Sequence, residues 1–201
     1  MRAGGDRAEV GFAALVLIAQ NPGMDIDDDY ADEGEPTLRV LPPLLLLSAQ
    51  TRCWKCGQPV KAVALAAHAL EEDGEQVGDP ADTADMLVLT DVDFMPPEVL
   101  HELVQRNPNY SKRYSHTAGD SYFANNCDCG TFTGDFYLHM EPGGAFFPTT
   151  VEEAAGITVE RLAFKEPIDL GAAWGSGTGD FILAHARVID APDAQGPGST
   201  A

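Results

Sequence analysis

The chain has 201 residues, enough for one domain with tails and for a core that needs no staple. Twelve Lys and Arg stand against 32 Asp and Glu, a net charge of −20. Such a surface repels phosphates and argues against binding nucleic acid or an anionic membrane with the whole face. No apolar run reaches the roughly 18 residues of a membrane span.

The first 36 residues read as an acidic, partly disordered extension, with nine acids against two arginines. Within them, Val10 to Ala19 is apolar and of signal-peptide length. Asp6 and Glu9 dilute its positive flank, and Gln20-Asn21-Pro22 is no small-residue cleavage site, so the run reads as a buried strand or helix, or a loosely attached extension. The acidic run from Asp25 lacks the glycine and terminal glutamate of a calcium-binding EF-hand loop.

A zinc-binding domain is expected over residues 37–190, with a disordered tail over 191–201. Leu38 to Leu41 and Leu44 to Gln50 have strand character, and Val60 to Leu65 follows as another strand. Between them lies Cys53-Trp54-Lys55-Cys56-Gly57, at the tip of a hairpin. Glu71 to Asp93 holds nine acids and no base, and its middle reads as an exposed loop. With the N-terminal stretch it accounts for −16 of the net charge, so the acidity is regional.

Pro96 to Arg106 predicts a helix. Proline suits a first turn, Glu98 complements the positive helix end, and Val99, Leu100, Leu103 and Val104 share a face. Asn107-Pro108 stops it. Tyr122 to Asn126 leads into a second knuckle, Cys127-Asp128-Cys129-Gly130, and Gly134 to Met140 is expected to leave it as a strand. Thr150 and Glu153 fit a capping box, and Gly156 ends a short helix there. Leu162 to Phe164 and Phe181 to Ile189 suggest edge strands. The glycine-rich Gly171 to Asp180 reads as a flexible turn without a phosphate-loop lysine.

The four cysteines form two tight pairs, each followed by glycine. A tetrahedral zinc takes two thiolates from each of two turns, with Zn–S of about 2.3 Å, and the backbone past the second ligand of each turn favours positive φ. Cys53, Cys56, Cys127 and Cys129 are therefore the candidate ligands. The second pair is Cys-x-Cys, one residue short, so Asp128, His116 or His139 is an alternative fourth ligand. Two disulfides, a redox-active Cys-x-x-Cys, or four free thiols are the competing readings. Thiols kept available for zinc imply a reducing, cytoplasmic setting.

The motifs resemble an uncharacterised bacterial zinc-ribbon family with split cysteine pairs. The residues that carry the resemblance are Cys53-Trp54-Lys55-Cys56-Gly57, Tyr114-Ser115-His116-Thr117, Tyr122 to Cys127, Cys129-Gly130, and Gly134-Asp135-Phe136-Tyr137-Leu138-His139 with Glu141-Pro142-Gly143. They span roughly Leu38 to Phe147, extending toward Ile189. The resemblance implies a compact α+β scaffold with the four cysteines as ligands, and the family carries no assigned activity. The fold expected is thus α+β: zinc-ribbon-like β-hairpins with an inserted helix and an antiparallel sheet.

Two further functions compete with a structural zinc protein that binds a protein partner. Alternation along a strand would put Asp135, Tyr137 and His139 on one face, where they could do acid–base chemistry. Arg52, Lys55, Lys61, Arg106, Lys112 and Arg113, interleaved with Trp54, Tyr110 and Tyr114, could hold a nucleic-acid strand, though the acidic flanks oppose it.

Overall fold

A computed structural model describes residues 34–190. The acidic extension, the apolar run at Val10 to Ala19 and the C-terminal tail lie outside the described residues, apart from Gly34 to Pro36.

The chain begins with β1 (Leu38–Val40), and β2 (Leu44–Arg52) follows it beyond a cis Pro42–Pro43 bond. Next come β3 (Pro59–Ala67), β4 (Ala69–Glu72), β5 (Glu75–Gly78) and β6 (Leu87–Phe94). Helix α1 (Pro97–Arg106) leads to β7 (Tyr110–Ser115), β8 (Asp120–Asn126) and the short β9 (Phe132–Thr133). A wide, π-helical turn (Phe136–Met140) precedes α2 (Val151–Ala155), β10 (Thr158–Arg161), β11 (Ile168–Gly175), α3 (Gly179–His185) and β12 (Arg187–Asp190).

Nine strands form one sheet in the order β12-β10-β2-β3-β6-β11-β1-β4-β5, and β7-β8-β9 form a second, smaller sheet. The large sheet is mixed, because β10 and β12 run parallel while its other pairs are antiparallel. It curls into a half-barrel, with 45% strand against 18% helix. The expected small α+β zinc ribbon with an antiparallel sheet is therefore wrong. The knuckle strands are not the fold; they are its central pair and an appended hairpin.

The reason lies in β2. Leu44 to Leu47 are all buried, which a strand achieves only when both faces of its sheet are covered. Leu44 and Leu46 join Val63, Leu65, Val99, Leu103, Tyr110 and Phe123 in one core, so α1 and the β7–β8 hairpin cover that face. Leu45 and Leu47 join Ala62, Ala64, Leu138, Phe146, Ile157 and Ile182 in a second core, covered by the π-helical turn, α3 and the loops around α2. Alanines at 62, 64 and 66 keep the second face of β3 shallow enough for close approach of those elements. Each fully buried leucine contributes about 1.5–3 kcal/mol relative to exposure.

Several predicted elements form. β2 and β3 make a continuous nine-pair hairpin from Leu44↔Ala67 to Arg52↔Pro59, with the first knuckle at its tip. Helix α1 spans Pro97–Arg106, with Val99 and Leu103 buried and Glu98 in its first turn. Thr150 caps α2 through a full capping box with Glu153, and Gly156 terminates it. Other expectations fail. The segment after the second knuckle is a two-residue strand and a π-helical turn, not a strand to Met140. Phe181–His185 is helical, and Arg187–Asp190 alone forms the edge strand. Thr158–Arg161, not Leu162 to Phe164, is the neighbouring strand, and it lies inside the sheet. Of the glycine-rich segment, Gly171 to Gly175 is the end of β11, paired to β6, and Gly179 begins α3, which leaves Ser176 to Thr178 as the turn. The acidic stretch does keep to expectation, with an exposed, open middle from Asp79 to Asp85 after the β4–β5 hairpin.

Candidate metal centre

The two knuckles close on themselves by the same pair of backbone bonds. In the first, the Cys53 amide donates to the Gln58 carbonyl at 2.9 Å and the Gly57 amide to the Cys53 carbonyl at 2.8 Å. In the second, the Cys127 amide donates to the Thr131 carbonyl at 2.9 Å and the Gly130 amide to the Cys127 carbonyl at 2.8 Å. The missing residue of Cys127-x-Cys129 is thus absorbed by tightening both bonds by one residue, the outer from a six- to a five-residue closure and the inner from five to four. Gly57 and Gly130 have φ of +74° and +77°, the conformation expected of the residue after each pair.

These turns bring four sulfurs together. The Sγ atoms of Cys53, Cys56, Cys127 and Cys129 all lie within 4.8 Å of one another. Cys53 and Cys129 approach to 3.7 Å and Cys56 and Cys127 to 3.6 Å, and both of these contacts run between the turns. Bonds of about 2.3 Å at tetrahedral angles put sulfurs about 3.8 Å apart, so this spacing suits a metal ion at the centre. A disulfide needs about 2.0 Å, and all four thiols are free. Asp128, His116 and His139 do not belong to the group. Asp128 instead accepts from Asn109 Nδ2 at 2.5 Å, and His139 stacks on Phe146 with ring centres 5.1 Å apart.

The local electrostatics split the thiols. The Cys56 amide draws the Cys53 thiol down to about 6. The Thr131 hydroxyl, 3.1 Å from the Cys129 sulfur, helps lower Cys129. At Cys127 the Cys129 amide pulls down, but desolvation and the three neighbouring sulfurs push harder, to about 12. Four thiolates cannot share this space uncompensated, and the four sulfurs lie close enough together for a metal ion to offset their charge.

Buried polar contacts hold the knuckles in register. Asn125, two residues before Cys127, is 1% exposed. Its Oδ1 accepts from the Val63 amide at 2.8 Å and its Nδ2 donates to the Val63 carbonyl at 2.9 Å. Asn107, where α1 ends, donates to the same Oδ1 at 2.9 Å. Across the tips, the Trp54 indole N–H donates to the Phe132 carbonyl at 3.2 Å. Asn107, Asn125 and Thr131 carry no spacing signature in the sequence. Only the Asn125-Asn126 pair abutting a cysteine could have pointed to them.

The other candidates do not assemble. Asp135 is buried, Tyr137 is exposed and His139 lies in the opposite core region, because the π-helical turn replaces the alternation that would have aligned them. The Asp135 carboxylate accepts from the Asp91 amide at 2.8 Å, and desolvation raises it to about 7. His139 is driven down to about 4 by its burial. A cleft of about 270 Å³ beside the second knuckle is lined by Lys61, Arg106, Asn109, Asn126, Cys127 and Asp128, and by none of that trio. Of the basic and aromatic set, Tyr110 is buried against Phe123, and Arg106 is bound by Glu102 and Glu160. Arg52, Lys55, Lys61 and Trp54 remain exposed around the first knuckle.

No protein-family model, curated protein or solved structure matches this chain. The likeness to a bacterial zinc-ribbon family thus has no family match behind it, and what the structure bears out is the gathering of the four cysteines. Among the described residues no helix is long and apolar enough to cross a membrane.

Proposed function

We propose that Cys53, Cys56, Cys127 and Cys129 bind one zinc ion as four thiolates, and that the ion is structural. The convergence of all four sulfurs within 4.8 Å carries this reading. Four protein ligands fill a tetrahedral shell and leave no position for water or substrate. The site's place supports a structural role: it joins the tip of the central β2–β3 hairpin to the β8–β9 turn, at the end of the sheet. Thiolates of this kind survive in a reducing compartment, which supports a cytoplasmic setting.

The work of the protein is then binding a protein partner. Trp54 is 73% exposed on the first knuckle, and Phe136, Tyr137 and Met140 stand out from the π-helical turn. Large exposed aromatics of this kind are enriched at protein interfaces. Nucleic acid is the weaker reading, because Tyr110 and Arg106 are already engaged.

Elemental analysis of the purified chain should find close to one zinc per chain, and the double variant Cys53→Ser with Cys56→Ser should lose it. Zinc retained by that variant would reject the assignment. Zinc-loaded protein should give no salt-sensitive gel shift with DNA or RNA. A shift that weakens steeply with salt would favour the nucleic-acid reading instead.

A further inference from the structure

The thiol cluster has a second arrangement built into it. Cys53 and Cys127 are buried, whereas Cys56 and Cys129 are exposed. Each close sulfur pair joins one buried and one exposed cysteine, and each joins opposite turns: Cys53 with Cys129 at 3.7 Å, Cys56 with Cys127 at 3.6 Å. Resting on the metal reading above, we propose that the site is peroxide-responsive. Oxidation would expel the ion and leave two disulfides, Cys53–Cys129 and Cys56–Cys127, that staple the same two turns.

The chemistry balances with hydrogen peroxide as oxidant. An exposed thiolate attacks one peroxide oxygen, the O–O bond breaks, and sulfenic acid and hydroxide form. The buried thiolate of the opposite turn attacks the sulfenic sulfur, the S–O bond breaks, and a second hydroxide leaves. Each disulfide gives two electrons to one peroxide. Two peroxides therefore convert four metal-bound thiolates to two disulfides, one free divalent ion and four hydroxides. The attacking cysteines are the exposed members of the cluster, and the resolving sulfurs lie within van der Waals contact of theirs.

The geometry also sets what oxidation preserves. The two bonds would link positions 76 and 71 residues apart, the same long connections that the ion closes. A metal-to-disulfide exchange of this form removes the cation and the four thiolate charges together, taking the site from a formal −2 to neutral, without letting the second hairpin go. A bond within either turn would leave the two knuckle tips without a link between them.

The test uses the full chain loaded with zinc and freed of reductant. Zinc is first measured per chain. Peroxide is then titrated in while a chromogenic chelator reports free zinc, and the product is digested without reduction. The sequence makes the map decisive. Trypsin cuts after Arg52, Lys55 and Lys61, separating Cys53 from Cys56, and cleavage before Asp128 separates Cys127 from Cys129. Two peroxides should release one zinc, with Cys53–Cys129 and Cys56–Cys127 peptides dominant. In Cys129→Ser, only the Cys56–Cys127 link should form, with Cys53 still open to alkylation. A Cys53–Cys56 or Cys127–Cys129 link as the main product, or zinc held through several equivalents of peroxide, would overturn the proposal. A chain that never takes up zinc would instead overturn the metal reading, and the disulfide map would still judge the pairing.

Discussion

The side chain of Asn125 exchanges two hydrogen bonds with the backbone of Val63, as an adjacent strand would. Val63 lies in β3, which pairs with β2 along its length but meets β6 only at Ala66 and Ala67. Its amide and carbonyl would otherwise be left unpaired in the core. One amide side chain therefore satisfies the open strand edge and docks the second hairpin four residues from Cys129.

Asn125→Leu should consequently be costly. It strands the Val63 amide and carbonyl and the Asn107 amide in a buried position, and each such group costs about 1–3 kcal/mol. Urea unfolding should show a loss of about 3 kcal/mol or more, together with weaker zinc retention against a chelator. A loss below about 1 kcal/mol would show that the hairpin is docked by its apolar contacts alone.

The knuckle glycines make a separate prediction. A Cβ at Gly130 or Gly57 would meet nothing within 4 Å, so substitution there tests backbone conformation without a clash. Gly130→Ala should cost about 1–2 kcal/mol through its φ of +77°, and Gly130→Asn less, since asparagine tolerates that region better. Equal stabilities of the alanine and asparagine variants in thermal melts would contradict the φ argument.

What was legible in the sequence was local. Paired cysteines with trailing glycines give the knuckles. Proline, Glu98 and the spacing of Val99 and Leu103 give α1, and Thr150 with Glu153 gives the capping box, because each signal is complete within a few residues. The sheet was not legible, since its order is set by pairings far apart in sequence, such as β1 with β11 and β10 with β2. Gly171-Ala172-Ala173 lacks the side chains that mark a strand, yet β11 is fixed there by β6 on one side and by the Thr37 hydroxyl, bonded to the Ala172 backbone, on the other. Asp135, Tyr137 and His139 were misplaced for a related reason. The turn is wound by Leu138 and its packing into the second core, not by any alternation in its own residues.

Ion pairing anchors α1 to the sheet. Arg106 donates to Glu160 on β10 at 2.9 and 2.5 Å, and to Glu102 one turn back. The Arg106 hydrogen bond lowers the Glu160 pKa, so its stabilisation is full above the unfolded pKa and fades as pH falls through the lowered folded value. Both side chains keep some solvent contact, which limits the worth of the pair. Glu160→Gln should cost about 1–2 kcal/mol near neutral pH and progressively less under acid. A cost that does not diminish between neutral pH and about pH 3 would assign the effect to packing.

Asp135 titrates in the opposite sense. Desolvation lifts its carboxyl to about 7, outweighing the hydrogen bond it accepts from the Asp91 amide. The folded state therefore holds the proton more tightly than the unfolded chain, whose carboxyl titrates near 4. Stability from this group is present in acid and is lost as pH rises from about 4 to about 7, after which the loss is constant. Asn in its place keeps an oxygen for the Asp91 amide and carries no charge. Asp135→Asn should thus match the parent near pH 4 and exceed it by a few kcal/mol at pH 8. The difference between the two proteins isolates this residue from the pH response of the remaining acids. Parallel stability curves across that range would show that Asp135 stays ionised in the fold, and that its buried oxygens are better compensated than one backbone amide allows.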